Sequence, residues 1–187
     1  MIVLLSPAKI QNYKLQTQTS DFTTPFFLSK SEKIISKLRR LTISETADLL
    51  KVNFKIAEQV HNHHFKWNKN HTPENAKQTA WVFNGEAYRG LDIHTFTSED
   101  IQYAQNHFRI LSGLYGMLRP LDLMMPYRID VGDEVQELFG KNLYDFWKKE
   151  VNKTLSEMLD DLGEPNVILN LTSKEYSKLI DRKKIGA

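Results

Sequence analysis

A chain of 187 residues with 41% hydrophobic and 26% charged side chains is long enough for one full domain, too short for two, and too apolar to be disordered. It has no cysteine, which excludes thiol peroxidases, disulfide exchange, and cysteine-ligated zinc or iron–sulfur centres. A net charge of +2 permits a local anion site without demanding a nucleic-acid partner.

Ile2-Val-Leu-Leu5, stopped by Ser6-Pro7, reads as a buried strand that opens a sheet. Residues 10–28 are polar and proline-punctuated, as expected of a surface loop. Ile34, Ile35, Leu38 and Leu41 have helical spacing within Ser31–Leu41. Thr42-Ile-Ser-Glu45 is a capping box that starts a second helix, and Asn53 caps a third running to about Trp67. Thr72-Pro73 predicts a short helix, and Ala80-Trp-Val-Phe83 before Asn84-Gly85 predicts a strand leaving through a turn. The helix from Thr97 carries Ile101, Ala104, Phe108 and Leu111 before Ser112-Gly-Leu-Tyr-Gly116 interrupts it. Pro120 and Pro126 mark turns over Leu118–Arg128, and Asn142 caps the longest helix, which ends at Gly163. Val167-Ile-Leu169 is a second apolar strand, and Thr172-Ser-Lys-Glu175 is a capping box for a helix over Ser173–Ile180. Trp67, Trp81 and Trp147 read as core. The expected fold is mixed α/β: one domain with a small mixed sheet flanked by several helices. Met1–Pro7 lacks a basic n-region, and no apolar run approaches the roughly 20 residues that span a bilayer. A cytoplasmic protein with no membrane partner is therefore expected.

Four groups of residues bear on chemistry. Ser6-Pro-Ala-Lys9 follows a strand, where a hydroxyl and an ammonium can grip an oxyanion; a plain turn with a solvated lysine accounts for the same residues. Leu111-Ser-Gly-Leu-Tyr-Gly116 is an h-x-G-h-x-G turn whose amides, over Ser112, Gly113, Leu114, Tyr115 and Gly116, approach a phosphate closely if it lies between two helices, or serve packing if it does not. Arg119-Pro-Leu-Asp122 and Pro126-Tyr-Arg128 restrain two arginines for bidentate anion binding, with Tyr127 to stack or donate; Arg119–Asp122 and Arg128–Asp130 ion pairs are the structural alternative. His61, His63 and His64 lack a completing acid and read as surface histidines, so no metal ligand set is assigned.

Ser6–Lys9, Phe83-Asn-Gly-Glu-Ala-Tyr-Arg-Gly-Leu91, the block Leu111-Ser-Gly-Leu-Tyr-Gly-Met-Leu-Arg-Pro-Leu-Asp122, Met125–Arg128, Asn142–Trp147 and Asn170–Tyr176 resemble the YaaA family of bacterial peroxide-stress proteins. The resemblance runs from residue 1 to the last residue. It implies protection against hydrogen peroxide associated with holding down free iron, a mixed α/β fold, and binding of double-stranded or branched DNA through a helix-hairpin-helix element near residues 97–122. On this chain that element falls on the helix from Thr97 and on Ser112–Gly116, with Arg119 beside it. The resemblance assigns no catalytic residue and no cofactor, and family members continue beyond Ala187, so a shortened C-terminal part is expected.

Two readings follow. One is a DNA-binding stress protein whose 112–116 amides hold phosphates. The other is an enzyme or binder of a phosphorylated or nucleotide-like small molecule, with Ser6, Lys9, Arg119, Tyr127 and Arg128 in one pocket and Asp122 or Glu175 orienting Lys9.

Overall fold

The computed structural model describes residues 1–162 and 166–185. Its main sheet has strand order β4-β3-β1-β6, where β1 is Ile2–Leu5, β3 Phe108–Ser112, β4 Gly116–Leu118 and β6 Ile168–Asn170. β1 runs parallel to both β3 and β6, while β4 turns back antiparallel on β3. A second, two-stranded sheet pairs β2 (Lys77–Gln78) with β5 (Leu123–Met124). The sheet is mixed, as the sequence predicts. β1 is flanked on both edges, and all four of its residues are buried. That explains why it reads as a continuous apolar run rather than an alternating one.

The helices mostly begin where capping residues place them. α1 is Leu28–Leu38, α2 Ile43–Leu50 and α3 Phe54–Lys66. Thr42 and Glu45 close a reciprocal capping box on α2, and Asn53 accepts from the Ile56 N–H at 3.0 Å to start α3. α6 (Ser98–His107) opens on a second capping box, Thr97 with Asp100. α8 (Leu143–Leu162) opens with Asn142 accepting from the Asp145 N–H; its expected end at Gly163 lies outside the described residues.

Four expectations are corrected. Thr79–Val82 is a helical turn, α4, not a strand; it seats Trp81 against Ile93, Ile101 and Leu121 in a small second core. Thr72-Pro73 opens only a hydrogen-bonded turn, closed by the Asn75 and Ala76 N–H groups on the Thr72 carbonyl. The helix expected over Ser173–Ile180 is shorter: Ser173 caps α9 (Lys174–Ser177). After α6 the chain becomes strand β3 at Phe108 instead of extending the helix, so Ser112–Gly116 joins two strands. The remaining short helices are α5 (Glu86–Leu91), α7 (Gln136–Phe139) and α10 (Arg182–Ile185).

The core gathers between the sheet and the helices around Trp67, Trp147 and Tyr115, each almost wholly buried. Their polar atoms are satisfied: Trp147 Nε1 donates to the Gly113 carbonyl at 2.8 Å and Trp67 Nε1 to the Tyr115 hydroxyl at 2.9 Å. Among the described residues no helix is long and apolar enough to cross a membrane.

Candidate functional site

The three parallel strands β1, β3 and β6 point the same way, so the residues that follow them share one end of the sheet. That end is where open α/β sheets place ligands. Here Ser6, Ser112 and Ser173 arrive from three distant parts of the chain. The Ser6 hydroxyl accepts from the Ser173 N–H at 2.9 Å, and the Ser6 carbonyl accepts from the Tyr88 hydroxyl at 2.7 Å. Ser112 Oγ lies 2.7 Å from the Tyr127 hydroxyl and accepts from the Tyr115 N–H. These bonds fix the strand ends as a rigid floor, but they also occupy the hydroxyls.

A cleft of about 400 Å³ has a wall that includes Lys9, Gln11, Lys14, His63, Tyr127 and Arg128, whereas Ser6, Tyr88 and Ser173 line a separate hollow that shares Lys9 with it. Gln11 clamps the floor loop, with its Nε2 donating to the Tyr127 carbonyl at 2.9 Å. Lys9 is 70% exposed and stands 3.6 Å from Asp130 Oδ2. The other Asp130 oxygen accepts from the Tyr176 hydroxyl at 3.0 Å. Arg128 is half-buried and makes neither an ion pair nor a hydrogen bond among the described residues. Burial, with Lys66 adding to it, lowers the His63 imidazole, so the cleft's histidine is neutral at neutral pH. Beside Asp130, burial and then the neighbouring carboxylates Asp130 and Glu175 push the Asp133 carboxyl up to about 6, against the hydrogen bond it accepts from the Asp130 N–H.

The structure therefore brings Ser6, Lys9, Tyr127 and Arg128 to one end of the sheet and separates Arg119 from them. Arg119 donates to Asp122 Oδ1 from both Nε and Nη2, at 3.1 and 2.9 Å, and from Nη2 to the Thr24 carbonyl; its guanidinium lies over the Phe26 ring. It borders a different hollow, with Arg109 and Met158. Of the two alternative ion pairs, Arg119–Asp122 forms, whereas Asp130 is engaged by Lys9 and leaves Arg128 free among the described residues. Neither Asp122 nor Glu175 orients Lys9. Glu175 instead packs its carboxylate over Gly132, where a Cβ would come 2.0 Å from it.

Ser112, Leu114, Tyr115 and Gly116 are wholly buried or nearly so, and Gly113 is buried with them. A Cβ on Gly113 would stand 2.3 Å from the Ile129 carbonyl oxygen, and one on Gly116 would stand 2.6 Å from the Trp147 ring. Gly116 also has φ +71, a left-handed backbone that glycine takes at no steric cost. Both glycines thus serve close packing. The histidines divide too: His63 lines the cleft, whereas His64, expected at the surface, is 1% exposed with neither ring nitrogen partnered. Burial, with three nearby cationic or imidazole groups, brings His64 down to about 4. Among the described residues no group of three or more histidine, aspartate or glutamate side chains is placed to hold a metal ion.

Asp130, Asp133 and Tyr176 form the part of the site that sequence reading missed. Asp130 is 121 residues from Lys9, so only the meeting of strand ends reveals the pair.

A family model described as "Peroxide stress protein YaaA" matches residues 1–187. A "UPF0246 protein" of Neisseria gonorrhoeae (strain NCCP11945) is 44% identical over 187 residues, covering 100% of this chain and 72% of that protein. A "UPF0246 protein" of Neisseria meningitidis serogroup C (strain 053442) is similar to the same degree, 44% over the same shares.

Proposed function

The chain belongs to the peroxide stress protein YaaA family, and within that family we propose that it binds a phosphorylated or nucleotide-like ligand in the cleft between Lys9 and Arg128. One observation carries this reading: Arg128 is a half-buried guanidinium without a partner among the described residues, in the wall of a cleft it shares with Lys9 and Lys14. A partly desolvated cation is costly to leave unmatched, and a planar guanidinium is suited to a phosphate's paired oxygens. Lys9, tethered loosely to Asp130 at 3.6 Å, is exposed enough to turn toward the same anion. Ser6 and Tyr127 then serve as scaffold, since their hydroxyls are already bonded. The experiment is calorimetric titration with inorganic pyrophosphate and nucleoside mono-, di- and triphosphates. Arg128→Gln should weaken binding roughly 10- to 100-fold, the worth of about 1.5–3 kcal/mol for a charge-assisted hydrogen bond. Equal affinity in the variant, or binding of nucleosides as tightly as their phosphates, would refute the reading.

The DNA reading is favoured by a separate observation. The cleft shares Tyr13, Lys14 and Pro126 with a groove of about 770 Å³ that carries Lys77, so the basic lining continues past the cleft. Glu74 is the one carboxylate among the described residues lining either. On this reading a strand's phosphates follow Arg128, Lys9, Lys14 and Lys77, and the buried 112–116 turn supports the groove instead of touching DNA. Binding of duplex or branched DNA would then fall steeply with salt and be lost in Arg128→Gln with Lys14→Gln. Salt-insensitive binding would refute it.

A further inference from the structure

The cleft that holds Arg128 is lined by three segments of the described chain, residues 9–14, 56–63 and 126–128, and its walls are unlike. Its charged residues, Lys9, Lys14 and Arg128, all stand on the two loops. Those loops are tied together, with Gln11 Nε2 donating to the Tyr127 carbonyl and Gln11 Oε1 accepting from the Tyr127 N–H at 3.4 Å. The remaining wall is α3, which contributes Ile56, Gln59, Val60 and His63. These positions are spaced i, i+3, i+4 and i+7, so they form one stripe along the helix. The charged residues of α3, Lys55, Glu58 and Lys66, lie off that stripe, and none lines the cleft. Ile56 is half-buried and Val60 buried, whereas Gln59 is exposed and His63 half-buried. Neither the Gln59 nor the His63 side chain hydrogen-bonds within the chain among the described residues. A volume of about 400 Å³ is far more than one phosphate group fills, so an anion on Arg128 and Lys9 leaves this uncharged stripe for the rest of its molecule.

We propose that the ligand is a nucleoside phosphate whose base lies on the α3 stripe while its phosphate is held by Arg128 and Lys9; this rests on the phosphate reading above and narrows it to one class. A nucleobase is a flat ring with weakly polar faces and an edge of adjacent hydrogen-bond donors and acceptors. Ile56 and Val60 offer apolar surface to such a face. The free Gln59 amide carries a donor and an acceptor side by side, the arrangement that pairs with a base edge. The His63 imidazole, neutral because burial lowers it, adds a flat surface for stacking with one donor and one acceptor. A sugar phosphate would set its hydroxyls against Ile56 and Val60, which cannot bond them. An acyl phosphate would bury the Gln59 and His63 polar groups against hydrocarbon. Phosphate and base are therefore read by separate residues, cations on the loops and uncharged side chains on the helix.

The test is calorimetric titration of the whole chain with ribose 5-phosphate and with the 5′-monophosphates of adenosine, guanosine, cytidine and uridine. The two kinds of ligand share a phosphate and a ribose and differ in the base. At least one nucleotide should bind about 10-fold or more tightly than ribose 5-phosphate. Gln59→Ala, at an exposed helical site where alanine is favoured, should be folded by circular dichroism. It should cut that preference by about 3- to 10-fold and leave the affinity for ribose 5-phosphate unchanged. Arg128→Gln should instead weaken both kinds of ligand alike. Ribose 5-phosphate bound as tightly as every nucleotide overturns the proposal while the phosphate reading stands. So does a nucleotide preference left whole by Gln59→Ala combined with Ile56→Ala. A parent chain that binds neither these ligands nor pyrophosphate refutes the phosphate reading itself, and the proposal falls with it.

Discussion

Replacing Gly113 by alanine tests whether the Ser112–Gly116 turn is a packing device. The new methyl would stand 2.3 Å from the Ile129 oxygen and 2.9 Å from the Asp130 carbonyl carbon. Ordinary carbon contacts need about 3.5 Å, so the 129–130 backbone must retreat by roughly 1 Å. No flexible side-chain end can absorb this, because both contacts are backbone. Overpacking of this kind typically costs about 1–3 kcal/mol, and the upper end is expected here. With a urea slope of about 2 kcal/mol/M, the unfolding midpoint should fall by roughly 1.5 M at unchanged slope. The same retreat moves Asp130 away from Lys9 and Tyr176, so ligand affinity should fall in protein that is still folded at low urea. A midpoint within about 0.2 M of the parent, with affinity for duplex DNA selectively lost, would refute the packing argument and return these amides to a phosphate-binding role.

Gly116→Ala adds a left-handed backbone at φ +71 to a contact of 2.6 Å with the Trp147 ring, and it should both destabilise the protein and change Trp147 near-ultraviolet dichroism. Asp133, pushed up to about 6, holds its proton more tightly folded than unfolded, so its contribution to stability declines as pH rises from about 4 to 6. Asp133→Asn should therefore gain about 1 kcal/mol over the parent at pH 7 and nothing at pH 4, read from urea midpoints at the two pH values; an unchanged difference would exclude titration as the cause. His64 and His71 are both lowered to about 4, chiefly by burial, which has the opposite sign: stability should fall as pH drops from 6.5 toward 4, and less steeply in His71→Gln.

The local parts of this fold were legible, and the long-range parts were not. Thr42 with Glu45, Asn53, Thr97 and Asn142 announced helix starts because a cap satisfies amides within three residues. Arg119 with Asp122 was foreseeable for the same reason, being a pair three apart. Ile101, Ala104, Phe108 and Leu111 also fit a helix, yet Phe108 onward pairs with Val3 to Leu5 about a hundred residues earlier. Sheet pairing overrode the helical period there, and with it went the expectation that the glycine turn lies between helices. Thr79–Val82 failed oppositely: a β-rich stretch became a helical turn so that Trp81 could fill the small core. Lys9's partner Asp130 had no local signal at all.

The buried turn and the cleft are one mechanical unit, which reconciles the long glycine-containing block with a site that it does not touch. Gly113 presses on Ile129–Asp130, Ser112 holds the Tyr127 hydroxyl, and Tyr115 accepts from the Met125 N–H, so the turn supports the whole 125–130 loop from beneath. The Tyr115 hydroxyl also accepts from Trp67 Nε1, which leaves its own proton for His71 Nε2 at 3.0 Å. His71 is thereby fixed as an acceptor at that nitrogen, and burial, which also leaves its Nδ1 without a partner among the described residues, lowers its basicity. Protonating His71 would place three donors around the Tyr115 oxygen, and the strain would reach Met125 directly. Arg128 stands three residues beyond Met125 on the same loop. Loss of ligand affinity on acidification toward pH 4, ahead of unfolding and absent in His71→Gln, is the outcome this linkage requires; affinity that tracks only the folded fraction would break it.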